Sequence, residues 1–364
     1  MINRAESTPF TGASYTPRMR RAAFVGAIVL VVAIGGCGSS NSSKTTTGSS
    51  TASVTTAEPA TASAPPTVVA SGISFPSNLT FDSQGHLWVA AGALGPTPQE
   101  GIWYVPPGGT PQHVAGGLTS ANGLVWVGNR LYVGSTTSPG IGQINVLEGF
   151  NGKAFAHRSV LLKGLQIGGH TLGTLALGPE GRLYVGLGAI KDHSGAPGTV
   201  VSFPPSGGGT QVEATGLRTA FGLAFWGPQL IVTDNGPDEV GPAPDQLLAF
   251  EPAGPVADFG FPACYGQAGT ACNGAKPPLA LFPAHSAPAG VAVKGDVAYV
   301  ADVGSAVAQS PAASAIRRVD LKTGQQNIFW RSPIKHDVVG VAIGPDGNLY
   351  ATLIITGQVV RFKL

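Results

Sequence analysis

The chain has 364 residues, 43% hydrophobic and only 11% charged, with 53 glycines and 30 prolines. That many turn-formers beside so few charged helix-formers exclude a helical bundle and point to a β-rich globular protein. The net charge of +2 is spread without a basic block, so no nucleic-acid partner is expected.

In chain order, the first element is not part of a fold. Arg18, Arg20 and Arg21 precede an apolar run over residues 22–36 that ends at Cys37. A basic stretch followed by a short apolar core is a secretion signal, and the run is shorter than the roughly 20 residues of a spanning helix. "AIGGC" resembles the lipobox of bacterial lipoproteins, with Ile34 where leucine is usual. That resemblance implies a signal peptide over 1–36, lipidation of Cys37 and anchoring on the outer face of the bacterial cell membrane. A plain membrane anchor with an incidental cysteine is the alternative. Residues 37–67 continue in Ser, Thr, Ala and Pro, too poor in apolar groups to offset chain entropy, and read as a disordered tether. The folded domain is expected over 68–364.

That domain is repetitive. "LTFDSQGHLWVA" starts at Leu79, "LVWVGNRLYVG" at Leu124, "LALGPEGRLYVG" at Leu175, "LAFWGPQLIVT" at Leu223, "VAVKGDVAYVA" at Val291 and "VAIGPDGNLYAT" at Val341. Each copy is a strand, a Gly-containing turn and a second strand rich in β-branched and aromatic residues. Starts 45, 51, 48, 68 and 50 residues apart give a period with room for several strands per unit, which is a propeller signature. The sequence predicts an all-β, six-bladed β-propeller, with an insertion in the long interval. A β-sandwich would not need six similar copies. The insertion holds "CYGQAGTAC"; in an exported protein the even pair Cys264 and Cys272 predicts a local disulfide, with two free thiols as the alternative.

In a propeller the first strand of each blade lines the central channel, and the loop entering it opens at one mouth. Five residues before each strand start stand Ser74, Thr119, His170, Arg218, Ser286 and His336. All six are polar, so this register predicts a ring of polar groups around a concave site. His285 is a further candidate for the same mouth, whereas Asp192, His193, Arg317 and Arg318 read as solvated or structural.

Four stretches carry a family resemblance: "HTLGTLALGPEGRLYVGLG", "GLRTAFGLAFWGPQLIVTDNGPDE" followed by "PDQLLAF", "FGFPACYG", and "GVAIGPDGNLYATLIITGQVVRF". From about Ser71 to Leu364 the chain resembles the glucose/sorbosone dehydrogenase family. These are six-bladed propellers whose characterised members use pyrroloquinoline quinone (PQQ) and calcium. The resemblance implies a dehydrogenase that oxidises a hydroxyl of a small sugar or polyol. It implies His170 as general base and Arg218 as a quinone contact, with Thr219, Lys335 and His336 also at the cofactor. It implies calcium on the "DNGPD" loop, through Asp234, Gly236, Pro237 and Asp238. The chemistry agrees: a histidine titrating near neutrality suits proton abstraction, and a cofactor with several carboxylates needs cations or calcium.

The sequence also departs from the family pattern. Thr219 replaces an asparagine, Gln246 and Leu248 stand for a glutamate and an asparagine, and Lys335 and His336 stand where quinone-binding members tend to carry arginines. Two alternatives therefore stay open: a calcium-dependent lactonase-like hydrolase, which could draw on Asn122, Asp234 and Asn235, and a non-catalytic propeller that binds a carbohydrate or a protein.

Overall fold

Each repeat folds as its alternation requires, one strand inward and the next stacked outside it. The computed structural model describes residues 64–92, 97–191, 194–237, 243–266, 272, 274–304 and 313–364, all-β and with no α-helix among them. The expected signal peptide, Cys37 and most of the tether lie outside the described residues.

β1 (Thr67–Ser71) comes first, beginning one residue before the expected boundary. Blade one follows as β2 (Pro76–Phe81), β3 (Leu87–Ala91), β4 (Gly101–Val105) and β5 (Gln112–Ala115). Blade two is β6 (Gly123–Val127), β7 (Arg130–Ser138), β8 (Ile141–Phe150) and β9 (Phe155–Gln166). Blade three is β10 (Leu175–Leu177), β11 (Leu183–Leu187), β12 (Gly198–Phe203) and β13 (Gln211–Leu217). Blade four begins β14 (Ala220–Trp226), β15 (Gln229–Asp234) and β16 (Asp245–Phe250). The expected insertion comes next. Its β17 (Ala257–Asp258) pairs parallel with β13 as a fifth strand of blade three, before β18 (Ala280–Phe282) completes blade four. Blade five is β19 (Pro288–Lys294), β20 (Val297–Asp302), β21 (Ala315–Asp320) and β22 (Gln326–Arg331). Blade six is β23 (Val338–Ile343), β24 (Leu349–Leu353) and β25 (Gln358–Phe362).

β1 supplies the fourth strand of blade six, pairing with β25 from Thr67↔Arg361 to Ser71↔Gln358. The ring is therefore closed by strands from its two ends. Contacts between β2 and β23 complete the circle of inner strands.

The repeated first residues, Leu79, Leu124, Leu175, Leu223, Val291 and Val341, are all buried, in apolar layers that join neighbouring blades. The preceding position is glycine in four repeats because the inner strands crowd the axis. A Cβ at Gly222 would lie 2.1 Å from the carbonyl oxygen of Ala289, and one at Gly340 2.7 Å from the Cα of Asn78. Where side chains stand instead, they bond across blades. Asn78 Nδ2 donates to the Asn122 carbonyl at 2.7 Å, and Thr174 Oγ1 accepts from the Leu223 amide at 2.9 Å. The turns carry an acid matched to an aromatic on the second strand: Asp82 with Trp88, Glu180 with Tyr184, Asp346 with Tyr350. These pairs explain why turn and strand recur together.

Candidate active site

The inner strands leave a cavity of about 880 Å³ at one mouth of the channel. Its floor follows from the repeat. In four blades the residue before the axial glycine forms it. Asn122, Phe221, Ala289 and Val339 occupy that position in blades two, four, five and six, and all four line the cavity. Ala289, Val339 and Ile354 form an apolar cluster with Phe75, Phe221 and Val303.

Three of the six positions in the expected polar ring line the cavity: His170, Arg218 and His336. Ser74, Thr119 and Ser286 do not. Thr119 Oγ1 is turned to Glu100 Oε1 at 2.9 Å, and Ser286 Oγ donates to the Pro283 carbonyl at 2.7 Å. His285 and Ala287, on either side of Ser286, line the cavity instead. The correction has a backbone cause. His285 and Ala287 adopt φ of 61° and 49°, so the loop turns its alternate residues inward. His336 also has positive φ, and its Nδ1 lies 2.6 Å from the Gly304 carbonyl. Nδ1 therefore carries the proton in the neutral ring, and Nε2 is left as the acceptor. Lys335, expected beside it, is exposed and does not line the cavity. Lys191, which the sequence reading missed, does.

His170 is seated by blades three and four. Its ring packs over Gly188, where a Cβ would come within 2.6 Å of Cδ2, and Gly188 bridges to Thr219. Thr219 Oγ1 stands 3.2 Å from His170 Nδ1 and 3.4 Å from Nε2. The threonine that departs from the family pattern thus holds the histidine. Arg218 lines the same cavity at 5% exposure.

Asp234 does not reach the cavity lining. It is fully buried, with its carboxylate accepting the amides of Arg218 (3.1 Å) and Thr219 (2.7 Å) and Gln246 Nε2 (3.0 Å). With those N–H donors it is occupied as a brace of the Arg218–Thr219 turn, leaving little capacity for a metal. Gln246 supplies one of these donors where the family has an acid. Burial pushes the Asp234 carboxyl up to about 7, against the pull of its donors. Asp245 lines the cavity and ties two loops, accepting from the Gly236 amide at 2.7 Å and the Ala287 amide at 2.8 Å. Burial raises it to about 6. Gly236 lines the cavity and Pro237 is buried beside it, while Asp238, Asp192 and His193 lie outside the described residues. Among the described residues no three His, Cys, Asp or Glu side chains converge on a metal position. Apart from the Asp245 carboxyl and the threonine hydroxyls, the oxygens on offer are amides and carbonyls. Asn122 Oδ1 and Asn235 Oδ1 are buried without a hydrogen-bond partner, and both residues line the cavity. Such orphaned acceptors call for a bound donor or cation.

Cys264 and Cys272 form the expected disulfide, with Cα atoms 5.6 Å apart. Next to it, the Tyr265 hydroxyl donates to the Asp234 carbonyl at 2.7 Å, so the insertion props the loop that carries Asn235 and Gly236. Arg317 is structural, as expected: it pairs with Asp302 at 2.6 Å and stacks 5.0 Å over Phe282.

No protein-family model matches the chain, and no curated protein sequence does. Solved structures do. A Trichoderma reesei enzyme of carbohydrate-active family AA12, in its calcium structure, aligns with TM-score 0.68 and 16% identity over 82% of this chain and 95% of its own. The PQQ-bound aldose sugar dehydrogenase of Streptomyces coelicolor aligns with TM-score 0.66 and 19% identity, over 82% and 96%. A putative glucose dehydrogenase of Thermus thermophilus aligns with TM-score 0.63 and 22% identity, over 82% and 99%. The shared feature is the fold. At these identities the likeness establishes a six-bladed propeller of the same architecture along nearly the whole of each neighbour.

Proposed function

We propose that this cavity binds PQQ with calcium and oxidises a hydroxyl of a sugar or polyol. One observation carries the reading: His170 and Arg218 line a single cavity on a propeller whose structural neighbours include a PQQ-bound sugar dehydrogenase. The residues present fit the group. Arg218 and Lys191 are cations suited to its carboxylates. The carbonyls of Gly236 and Pro237, with the orphaned Asn235 Oδ1, are the hard oxygen ligands calcium takes.

PQQ, when bound, supplies the acceptor for the hydride of the carbinol carbon. The chain supplies the base. A ring nitrogen of His170 takes the hydroxyl proton as the C–H bond breaks and the carbonyl forms, and Thr219 fixes the ring for that transfer. Asp234, held away from the cavity by three N–H donors, sets the turn that aims Arg218 and Thr219. The lactonase alternative needs several oxygen ligands around the axis. The floor offers Asn122 beside Phe221, Ala289 and Val339, which does not favour it. Export and lipidation at Cys37 belong to the same proposal on the strength of residues 18–37, and labelling with a fatty-acid analogue in cells tests them.

The direct test is dye-linked oxidation of a sugar and polyol panel by protein supplied with PQQ and calcium. Turnover is expected, and His170→Ala is expected to lower kcat by about 10²–10⁴ while leaving the quinone bound. No turnover with any donor, or full turnover in His170→Ala, would overturn the reading.

A further inference from the structure

The cavity is two-faced. Its two cations, Lys191 and Arg218, stand with His170, Thr219 and Asn235 on the loops of blades three and four, while His285 and His336 line it from the loops that enter blades five and six. Across the axis, blade six presents Val339, Ile354 and Ile355, and Val303 of blade five continues the surface. Blades three and six are opposite one another in a ring of six, so Ile354 and Ile355 face the side that carries His170 and Lys191, with His336 at the edge of the apolar surface.

Ile355 is the informative residue. It is 49% exposed although it lines a concave site, as Ile190 of blade three is at 41%. An isoleucine at a mobile tip would need no explanation. This one is held. Buried Asp337 accepts the amides of Ile355 (2.8 Å) and Thr356 (3.2 Å) at its carboxylate, and its carbonyl accepts the Ile354 amide at 2.7 Å. The fold spends a buried carboxylate on fixing an apolar surface toward the cavity. That is preorganisation for an apolar ligand group.

A free hexose carries hydroxyls around its whole ring, and pressing them against Val339, Ile354 and Ile355 would strip them of water without return. We propose that the ligand of this site is an amphiphilic alcohol. It is a glycoside or comparable hydroxyl compound whose hydroxyl end sits at His170 and whose apolar substituent crosses to Ile355. The proposal rests on the dehydrogenase reading for what happens to that hydroxyl, though not for the binding itself. Each methylene buried on the blade-six wall contributes about a fourfold gain in affinity.

The test uses the full chain in lipid nanodiscs and compares hexyl β-glucoside with glucose. Calorimetry on protein without quinone is expected to show the glycoside binding at least about tenfold tighter. In Ile355→Ser the difference is expected to shrink below about threefold. Ile334→Ser, at an exposed isoleucine that does not line the cavity, is expected to keep the full preference. Equal affinities in the wild type, or a preference that survives Ile355→Ser, would overturn the proposal. With PQQ and calcium added, kcat/KM for the two donors separates the two readings. Oxidation of both at equal efficiency sinks the amphiphile and leaves the dehydrogenase. Ile355-dependent binding with no oxidation of either sinks the dehydrogenase and leaves the ligand class.

Discussion

At the scale of the residue, the position of His170 depends on what its neighbours lack. Gly188 has no side chain, and the imidazole fills the space a Cβ would need, 2.6 Å from Cδ2. Gly188→Ala is therefore expected to lower kcat about tenfold to a hundredfold with a smaller change in stability, measured by dye-linked turnover beside urea unfolding. Thr219→Val removes the hydroxyl beside the ring and is expected to cost about tenfold in kcat with KM little changed; Thr219→Ser should restore it, which a purely structural loss would not explain. His170 and Arg218 were legible in the sequence because the repeat register counts residues back from a buried strand. Gly188 and Lys191 were not. Both follow the second strand of blade three, where the repeat carries no distinctive residue, and only the close packing of blades three and four gives them a role. His285 was legible as a further group at the mouth, but the inward turn of Ala287 in place of Ser286 was not, because it rests on positive φ at residues that are not glycine.

Among elements, the loops of blades four and five are joined through Asp245, whose buried carboxyl is raised from 3.8 to about 6. Between those values the native chain holds a proton that the unfolded chain has released, so stability falls as pH rises from about 4 to 6 and then levels off. The fall expected from this group is about 1–3 kcal/mol. Asp245→Asn should flatten that part of the pH dependence of the urea midpoint; an unchanged slope would mean the carboxyl titrates normally. The disulfide of the insertion closes a short loop, and reducing it is expected to cost about 2–3 kcal/mol. Because Tyr265 beside it props the Asp234 carbonyl, reduction should also weaken calcium binding by the full chain. The insertion itself was legible from the 68-residue interval, and the disulfide from an even pair of cysteines in a chain whose residues 18–37 read as an export signal. The parallel pairing of β17 with blade three was not, since a two-residue strand leaves no periodicity to read.

For the whole molecule, the six-bladed ring was readable because each blade repeats the same buried aliphatic start, and three of them the same acid-to-aromatic turn. Its closure was not, because Thr67–Ser71 resembles the tether before it and gains its meaning only against Gln358–Phe362. Removing residues through Ser71 strips the fourth strand from blade six and uncovers Val359. A loss of several kcal/mol, read from the urea midpoint, is expected, since the deletion removes Ala70 from the layer between blades six and one and the strand that covers Val359. The functional meaning of the ring rests on its mouth, where blades three and four gather cations and amide oxygens against an apolar wall. The most direct measurement is a calorimetric titration of PQQ into the full chain with and without calcium, repeated on Arg218→Ala. Tight binding that needs calcium and is lost in Arg218→Ala is expected; absence of binding under both conditions would contradict the quinone-dependent reading of this cavity.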